Sequence, residues 1–310
     1  MTRILIIGGA GYIGSVLTDE FLKAGHNVMV LDLLKRGSDG IIMHRDNPNF
    51  SLVNADFISR ILPFCLKKID VVIHLAAVVG DPACAQEPEL ATIVNEKGVQ
   101  HLVQHCNKFD VKLFFASTAS VYGSNQKTCD ENTILNPLSH YAKTKVLAER
   151  YITNYSMNGI IFRFGTMYGI SPNMRYDLVV NRLVHDAIHY SSYNVFDGTQ
   201  FRPFLHPKDI AYFFMSIMDE DLSGYTGEVF NLVSENLSML ELGQLLERTI
   251  PTAIMNLVSE KEDNRSYICR SFKANKELGF SPQIRVRDGI QEIEKKILKS
   301  KVNIKIKEII

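Results

Sequence analysis

Cysteines spaced for metal or disulfide chemistry are missing from this chain. Its five (Cys65, Cys84, Cys106, Cys129 and Cys269) are odd in number, scattered and without a C-x-x-C pair. That argues against both a disulfide framework and a zinc site, so no metal is expected and a reducing cytoplasm fits best. An excess of one charge is also missing. Lys+Arg and Asp+Glu both number 34, so no global field recruits nucleic acid or an anionic membrane, although a local basic pocket could hold a phosphate. No apolar run reaches the roughly 18 residues that mark a membrane-spanning helix. The opening "MTRILIIGGAGYIGS" breaks at glycines instead of extending into a cleavable leader, and no repeat or low-complexity stretch follows. A soluble cytoplasmic protein is expected.

What is present is a chain of 310 residues, 46% hydrophobic, enough for one sizeable domain and a smaller one. Up to about residue 165, short β-branched runs recur: "RILIIG", "NVMVLD", "FSLVNAD", "DVVIHLA", "VKLFFAS" and "GIIFRF". Helix-length segments at 12–24, 89–108 and 139–157 lie between them, an alternation that builds a parallel sheet whose ligands sit beyond the strand C-termini. Later the pattern loosens into helices over 176–190, 208–219, 238–249 and 286–300. The expected division is a cofactor-binding unit over 1–170 and a cap over 171–310, with some cap segments returning to the first sheet. The tail "KVNIKIKEII" alternates polar and apolar residues and reads as an edge strand or a packed tail.

Gly8, Gly11 and Gly14 form G-x-x-G-x-x-G after the first strand and at the start of the first helix. The first permits a tight turn, the second lets backbone approach a pyrophosphate, and the third lets helix and strand pack closely. Asp32 ends the second strand, near the spacing at which a carboxylate accepts hydrogen bonds from an adenosine ribose. A carboxylate there repels the 2′-phosphate of NADP, and no arginine follows immediately, so NAD is favoured. Asp56, ending the third strand, could reach the adenine amino group or simply cap its loop.

"YAKTK", residues 141–145, sets Tyr141 and Lys145 four apart, on one face of a helix. With 12 Tyr and 34 Lys+Arg, chance alone supplies about one such pairing, so the pair needs company. "ASTASVYG" (116–123) puts Ser117 and Thr118 at the C-terminal edge of the sheet. With "GGAGYIGS", "HLAA", "NEKG", "RFGTMYG", "RPFLHPKD" and "KELGFSP" in this order, the chain closely resembles the extended short-chain dehydrogenase/reductases, in particular the nucleotide-sugar epimerases and dehydratases such as UDP-glucose 4-epimerase. The fold this implies is α/β, a Rossmann-type doubly wound parallel sheet with a smaller, interspersed C-terminal α/β substrate-binding lobe.

The resemblance implies a catalytic set of Thr118, Tyr141 and Lys145, with Asn95 in support. A lysine ammonium and an oxidised nicotinamide ring both favour a tyrosine phenolate, and lowering its pKa by about three units corresponds to about 4 kcal/mol. Tyr141 would then take a sugar hydroxyl proton while Thr118 holds the oxygen. Implied cofactor contacts are Gly8, Gly11, Tyr12, Ile13, Gly14, Asp32, Asp56, Phe57, Leu75, Ala76, Ala77, Asn95, Ser117, Tyr141 and Lys145. Implied substrate contacts are Thr118, Tyr141, Thr166, Asn181, Arg202 and Arg265, with Arg202 suited to a bidentate grip on the diphosphate. Ala119 and Ser120 stand where the family's 4,6-dehydratases carry Asp-Glu, which disfavours elimination and favours a 4-epimerase acting on a UDP-, GDP- or dTDP-linked sugar. Thr166 replaces the asparagine common in epimerases, and "VVGDPAC" with "NMRYDLVVN" keeps open a net 4-dehydrogenase of a GDP-linked hexose or heptose. An NAD-binding protein without chemistry would not need Thr118, Tyr141 and Lys145 together. His74 and Cys84 read as packed, and a homodimer is implied by the family alone.

Overall fold

The computed structural model describes residues 1–259 and 265–307. Its strands are β1 (Arg3–Ile7), β2 (Asn27–Asp32), β3 (Phe50–Asn54), β4 (Val71–His74), β5 (Lys112–Thr118), β6 (Gly159–Phe164), β7 (Thr166–Met167), β8 (Ser192–Phe196), β9 (Phe201–Leu205), β10 (Val229–Leu232), β11 (Glu235–Ser238) and β12 (Ile254–Val258). The helices are α1 (Tyr12–Lys23), α2 (Leu62–Cys65), α3 (Asp81–Gln86), α4 (Pro88–Thr92), α5 (Gly98–Phe109), α6 (His140–Tyr155), α7 (Val179–Tyr190), α8 (Pro207–Ile217), α9 (Met239–Thr249), α10 (Phe272–Leu278) and α11 (Val286–Lys307).

Seven strands form one sheet in the order β3-β2-β1-β4-β5-β6-β10, and every pairing in it is parallel. Successive side chains of β1 point to opposite faces. Ile4 and Ile6 enter a core with Leu17 and Phe21 of α1 and Phe214 of α8, while Leu5 and Ile7 meet Leu102 and Val103 of α5 and Ile152 of α6. Burial on both faces explains why these strands read as continuous apolar runs. Each fully buried Leu, Ile or Phe contributes about 1.5–3 kcal/mol relative to exposure. The strand order reverses between β1 and β4, so a crevice opens beyond their C-terminal ends, at Gly8 and Leu75. This is a Rossmann-like α/β architecture.

The strand β10 returns late in the chain to pair with β6, from Val229↔Ile161 to Leu232↔Phe164. The remaining strands make a β11-β9-β7 sheet and a β12-β8 pair, and α7, α9 and α11 enclose a core around Leu183, Leu242, Leu246 and Ile290. The capping box of Ser238 and Glu241 starts α9.

Two expectations need correction. The single helix over 89–108 is α4 and α5 joined by a π-helical turn at Ile93–Lys97, a device that re-aims side chains by one extra residue. The alternating tail is no edge strand, because α11 runs through it to Lys307. No Gly or Pro follows Gly289 to stop the helix, and the Lys, Glu, Leu and Ile content sustains it. Residues 308–310 of that tail lie outside the described residues.

Candidate active site

The end of β1 turns sharply at Gly8, whose φ of +87° is open to glycine. A Cβ at Gly8 would stand 2.7 Å from the Ala76 backbone nitrogen, and one at Gly14 would stand 2.3 Å from the Gly8 carbonyl oxygen and 2.5 Å from the Gly9 Cα. Gly11 starts α1 without a side-chain cap, so no N-cap side chain takes up the N–H groups of the first turn. The Asp32 carboxylate, half-buried at the end of β2, accepts the Ala10 N–H at 3.0 Å and the Leu34 N–H at 2.8 Å, which fixes it beside the glycine turn. A tight cradle, an uncapped helix N-terminus and an adjoining carboxylate fit a dinucleotide.

Around this cradle the other expected contacts take different places. Leu75 and Ala76 hook onto Ile7 through N–H bonds to its carbonyl of 2.9 and 3.0 Å, and Ala77 follows them at the rim. Ile13 is half-buried on α1. Asp56 accepts the Ile58 N–H at 3.0 Å and thus caps its own loop, while Phe57 is buried 4.9 Å from the His74 ring. Tyr12 is buried, its hydroxyl donating to the Gly169 carbonyl at 2.6 Å. Burial pushes its ionisation far above the ordinary range.

Tyr12 belongs to a clamp that the sequence reading missed. Ser15 and Ser171 join at 2.9 Å, and Asn173 donates to the Ala10 carbonyl at 2.7 Å, so the loop after β7 is fastened to the glycine turn. Asn181, fully buried in the first turn of α7, completes it. Its Oδ1 accepts the Gly169 N–H at 3.0 Å and its Nδ2 donates to the Arg175 carbonyl at 2.8 Å. The Asn181 Nδ2 also donates to the Tyr12 hydroxyl at 3.2 Å, so its amide ties α7 to the loop after β7 and to α1. The available signal was polarity on the buried side of α1: Tyr12 and Ser15 both need partners there.

Near the C-terminal end of β5 the structure sets Lys145 close to Tyr141. Lys145 is buried, donates to the Ala116 carbonyl at 2.8 Å, and lies 4.7 Å above the Phe115 ring and 6.0 Å from the Tyr141 ring centroid. Burial lowers its pKa to about 8, against the opposing pull of Glu149 and Cys84. Asn95, set in the π-helical turn, accepts the Val78 N–H at 2.8 Å and donates to the Thr144 hydroxyl at 3.2 Å; that hydroxyl donates to the Tyr141 carbonyl at 2.8 Å. Asn95 thus braces the turn of α6 that carries Tyr141. Thr118 caps the 3-10 turn Ala119–Tyr122, its Oγ1 accepting the Ser120 N–H at 3.1 Å and lying 2.9 Å from the Ser120 hydroxyl. Ser117 is buried and donates to Glu149, so its hydroxyl is turned to α6 and not to the cradle.

Below Lys145, His74 is buried between Phe57 and Phe115, with neither ring nitrogen bonded among the described residues. Burial first, and Lys145 second, lower its pKa to about 3, which keeps the imidazole neutral. Cys84 is buried with its thiol 3.1 Å from the Val78 carbonyl, as a packed cysteine should be. Thr166 is half-buried in β7, paired across to Phe204. Arg202 is largely buried in β9, its guanidinium 5.9 Å from the Tyr267 ring and bonded to the Phe201 carbonyl at 2.9 Å and to the Arg265 carbonyl. Arg202 and Arg265 are therefore neighbours, and Arg265 borders residues 260–264, which lie outside the described residues. A separate cavity of about 300 Å³, lined by Asp70, Asp110, Lys112 and Glu220, sits at the opposite, N-terminal edge of the sheet. Among the described residues, no cluster of metal-ligating side chains occurs and no helix is long and apolar enough to cross a membrane.

A glycine turn with an uncapped helix and an adjoining carboxylate, on a parallel Rossmann-like sheet, is the architecture of a dinucleotide-binding protein. Comparison with known proteins gives the family. Residues 4–232 match the NAD-dependent epimerase/dehydratase family, and the chain belongs to it. It is 30% identical to a protein of Methanocaldococcus jannaschii provisionally named UDP-glucose 4-epimerase, over 94% of this chain and 96% of that one. It is 29% identical to an uncharacterised UDP-glucose epimerase of Bacillus subtilis, over 93% and 95% of the two chains. The solved structure of UDP-glucuronic acid 4-epimerase from Bacillus cereus, in complex with UDP-glucuronic acid and NAD, superposes with a TM-score of 0.85 at 27% identity, covering 96% of this chain and 99% of that one. The protein is an enzyme of this NAD-dependent nucleotide-sugar family, with NAD as its cofactor.

Proposed function

We propose that this enzyme is a nucleotide-sugar 4-epimerase in which Tyr141 is the proton-transfer residue. The observation that carries the reading is the position of Lys145: a buried lysine whose Nζ lies 6.0 Å from the Tyr141 ring and on the Ala116 carbonyl near the C-terminal end of β5. The cradle of Gly8, Gly11 and Gly14, with Asp32 on the ribose side, would hold NAD. When bound, NAD supplies the two-electron acceptor and donor that reaction at a carbinol carbon requires. Tyr141 removes the proton of the C4 hydroxyl, helped by a nearby cation that favours its phenolate. Thr118 holds the sugar oxygen, Asn95 keeps α6 in place, and Arg202 with Arg265 faces the diphosphate. In this division residues 1–170 bind the cofactor and 171–310 chiefly cap the sugar. The active species is a homodimer, which light scattering tests.

The small residues Ala119 and Ser120 support epimerisation over elimination, because neither ionises to move a proton at a second carbon. Net 4-dehydrogenation of a GDP-linked hexose or heptose is the second reading, favoured by Thr166 and by the "VVGDPAC" and "NMRYDLVVN" segments. To separate them, the protein is incubated with NAD and UDP-glucose, UDP-glucuronic acid, GDP-mannose or dTDP-glucose, and products are read by NMR alongside absorbance of reduced cofactor. A C4 epimer without net NADH is the expected result; stoichiometric NADH with a ketone establishes the dehydrogenase, and a deoxy-keto product contradicts both.

A further inference from the structure

Glu149 stands one helical turn beyond Lys145 on α6, and only 4% of its surface is exposed. Its carboxylate accepts Arg163 Nη2 at 2.7 Å and Nε at 3.0 Å from β6, and also the Ser117 hydroxyl from β5. Arg163 in turn donates through Nη1 to the Tyr122 hydroxyl at 2.9 Å in the 3-10 turn that Thr118 caps. The Tyr122 hydroxyl lies 2.8 Å from Asn231 Oδ1 on β10. One buried network thus ties together α6, the end of β5, β6, the turn after Thr118 and the last strand of the sheet.

We infer that Glu149 is a positioning residue of the active site: with Arg163 and Ser117 it locks the ends of β5 and β6 against the turn of α6 that follows Lys145. The inference rests on the catalytic reading of Tyr141 and Lys145. A buried ion pair is weak grounds for stability, since apolar residues of the same volume pack as well or better. Its placement here does something that apolar residues would not. The charged and titratable groups facing Lys145 are Glu149 and Tyr141 on its own helix, Cys84 from α3 and His74 from β4, with Arg163 behind Glu149. His74 is held neutral, and of the two groups that oppose the effect of burial on Lys145, Glu149 is the larger and Cys84 the smaller. Removing the Glu149 carboxylate moves loss of the ammonium to lower pH and weakens support for the Tyr141 phenolate.

Three variants test this, assayed with NAD and the nucleotide sugar that the wild type turns over. Tyr141→Phe is the control for the underlying reading. Glu149→Gln leaves Arg163 uncompensated and is expected to shift the alkaline limb of the kcat profile down by about one pH unit, with kcat reduced about tenfold. The double variant Glu149→Met with Arg163→Met removes both charges, keeps the packing and should melt near the wild type. It is expected to show the same direction of shift, smaller in size, with KM little changed. If the folded double variant keeps the wild-type kcat and pH profile while Tyr141→Phe is inactive, the positioning role is wrong and the catalytic reading stands. Normal turnover by Tyr141→Phe overturns the catalytic reading itself, and with it the role of Glu149.

Discussion

The glycine cradle and the proposed catalytic corner lie at the ends of β1 and β5, with β4 between them in one sheet, yet they are built by opposite means. In the cradle, function comes from the absence of side chains: backbone turns at Gly8, Gly14 has no room for a methyl group, and α1 begins uncapped. In the corner, the proposed chemistry rests on buried polar side chains: Lys145 against Ala116 and Phe115, Glu149 against Arg163. The difference teaches where each can be damaged. Steric damage to the cradle should remove cofactor binding and leave the corner intact, whereas electrostatic change in the corner should alter chemistry and stability while the cofactor still binds.

The largest effect should follow Gly14→Ala. The new Cβ would meet the Gly8 oxygen at 2.3 Å, both atoms being backbone-fixed, so the turn must deform. NAD affinity is expected to fall by about a hundredfold or more, corresponding to about 3 kcal/mol, and turnover with it, as read by calorimetric titration. A variant that binds NAD normally would break the steric account of the cradle.

Lys145→Met sharpens the other side. An unfolded lysine has a pKa near 10.5 and folding lowers that of Lys145 to about 8, so below pH 8 the folded state holds a buried charge at a cost. As pH rises from about 8 to 10.5 the folded state has released its proton while the unfolded state still holds it, and this group's contribution to stability therefore increases with pH. Removing the charge should stabilise the cofactor-free protein at pH 7 by on the order of 3 kcal/mol while abolishing turnover. Urea midpoints at pH 7 and pH 10 check this: the variant's advantage should shrink at the higher pH.

A smaller change is expected for Asp32→Asn, which keeps the shape but removes the charge from the cradle's rim. NAD affinity should fall about tenfold with kcat at saturating cofactor unchanged, and discrimination against NADP should relax. The smallest effect should come from Ser238→Ala, far from both regions in the capping box of α9. It should cost about 1 kcal/mol in thermal unfolding and leave NAD binding and kcat as they were.

The same contrast explains how much could be read from the sequence. Glycine spacing, strand runs and the Asp32 position are local signals, and the parallel sheet with the cradle at its edge followed from them. Tyr141 and Lys145 are also local, four apart on one helix. The rest depends on which strands become neighbours. Nothing near Ser117 announces that its hydroxyl is taken by Glu149, because that contact needs β5, β6 and α6 side by side. Nor does the place of Asn181 at a helix start announce that its side chain fastens the loop at Gly169, which needs α7 beside that loop. The late strand β10 and the helical tail show the other gap: the period of a short polar–apolar segment does not say what it will pack against.

Tyr141→Phe tests the central claim most directly, since it removes one oxygen from the corner and touches nothing in the cradle. Turnover of the nucleotide sugar should fall by about a thousandfold while the NAD dissociation constant stays within about twofold of wild type. Undiminished turnover with that hydroxyl gone would show that the proton is handled elsewhere.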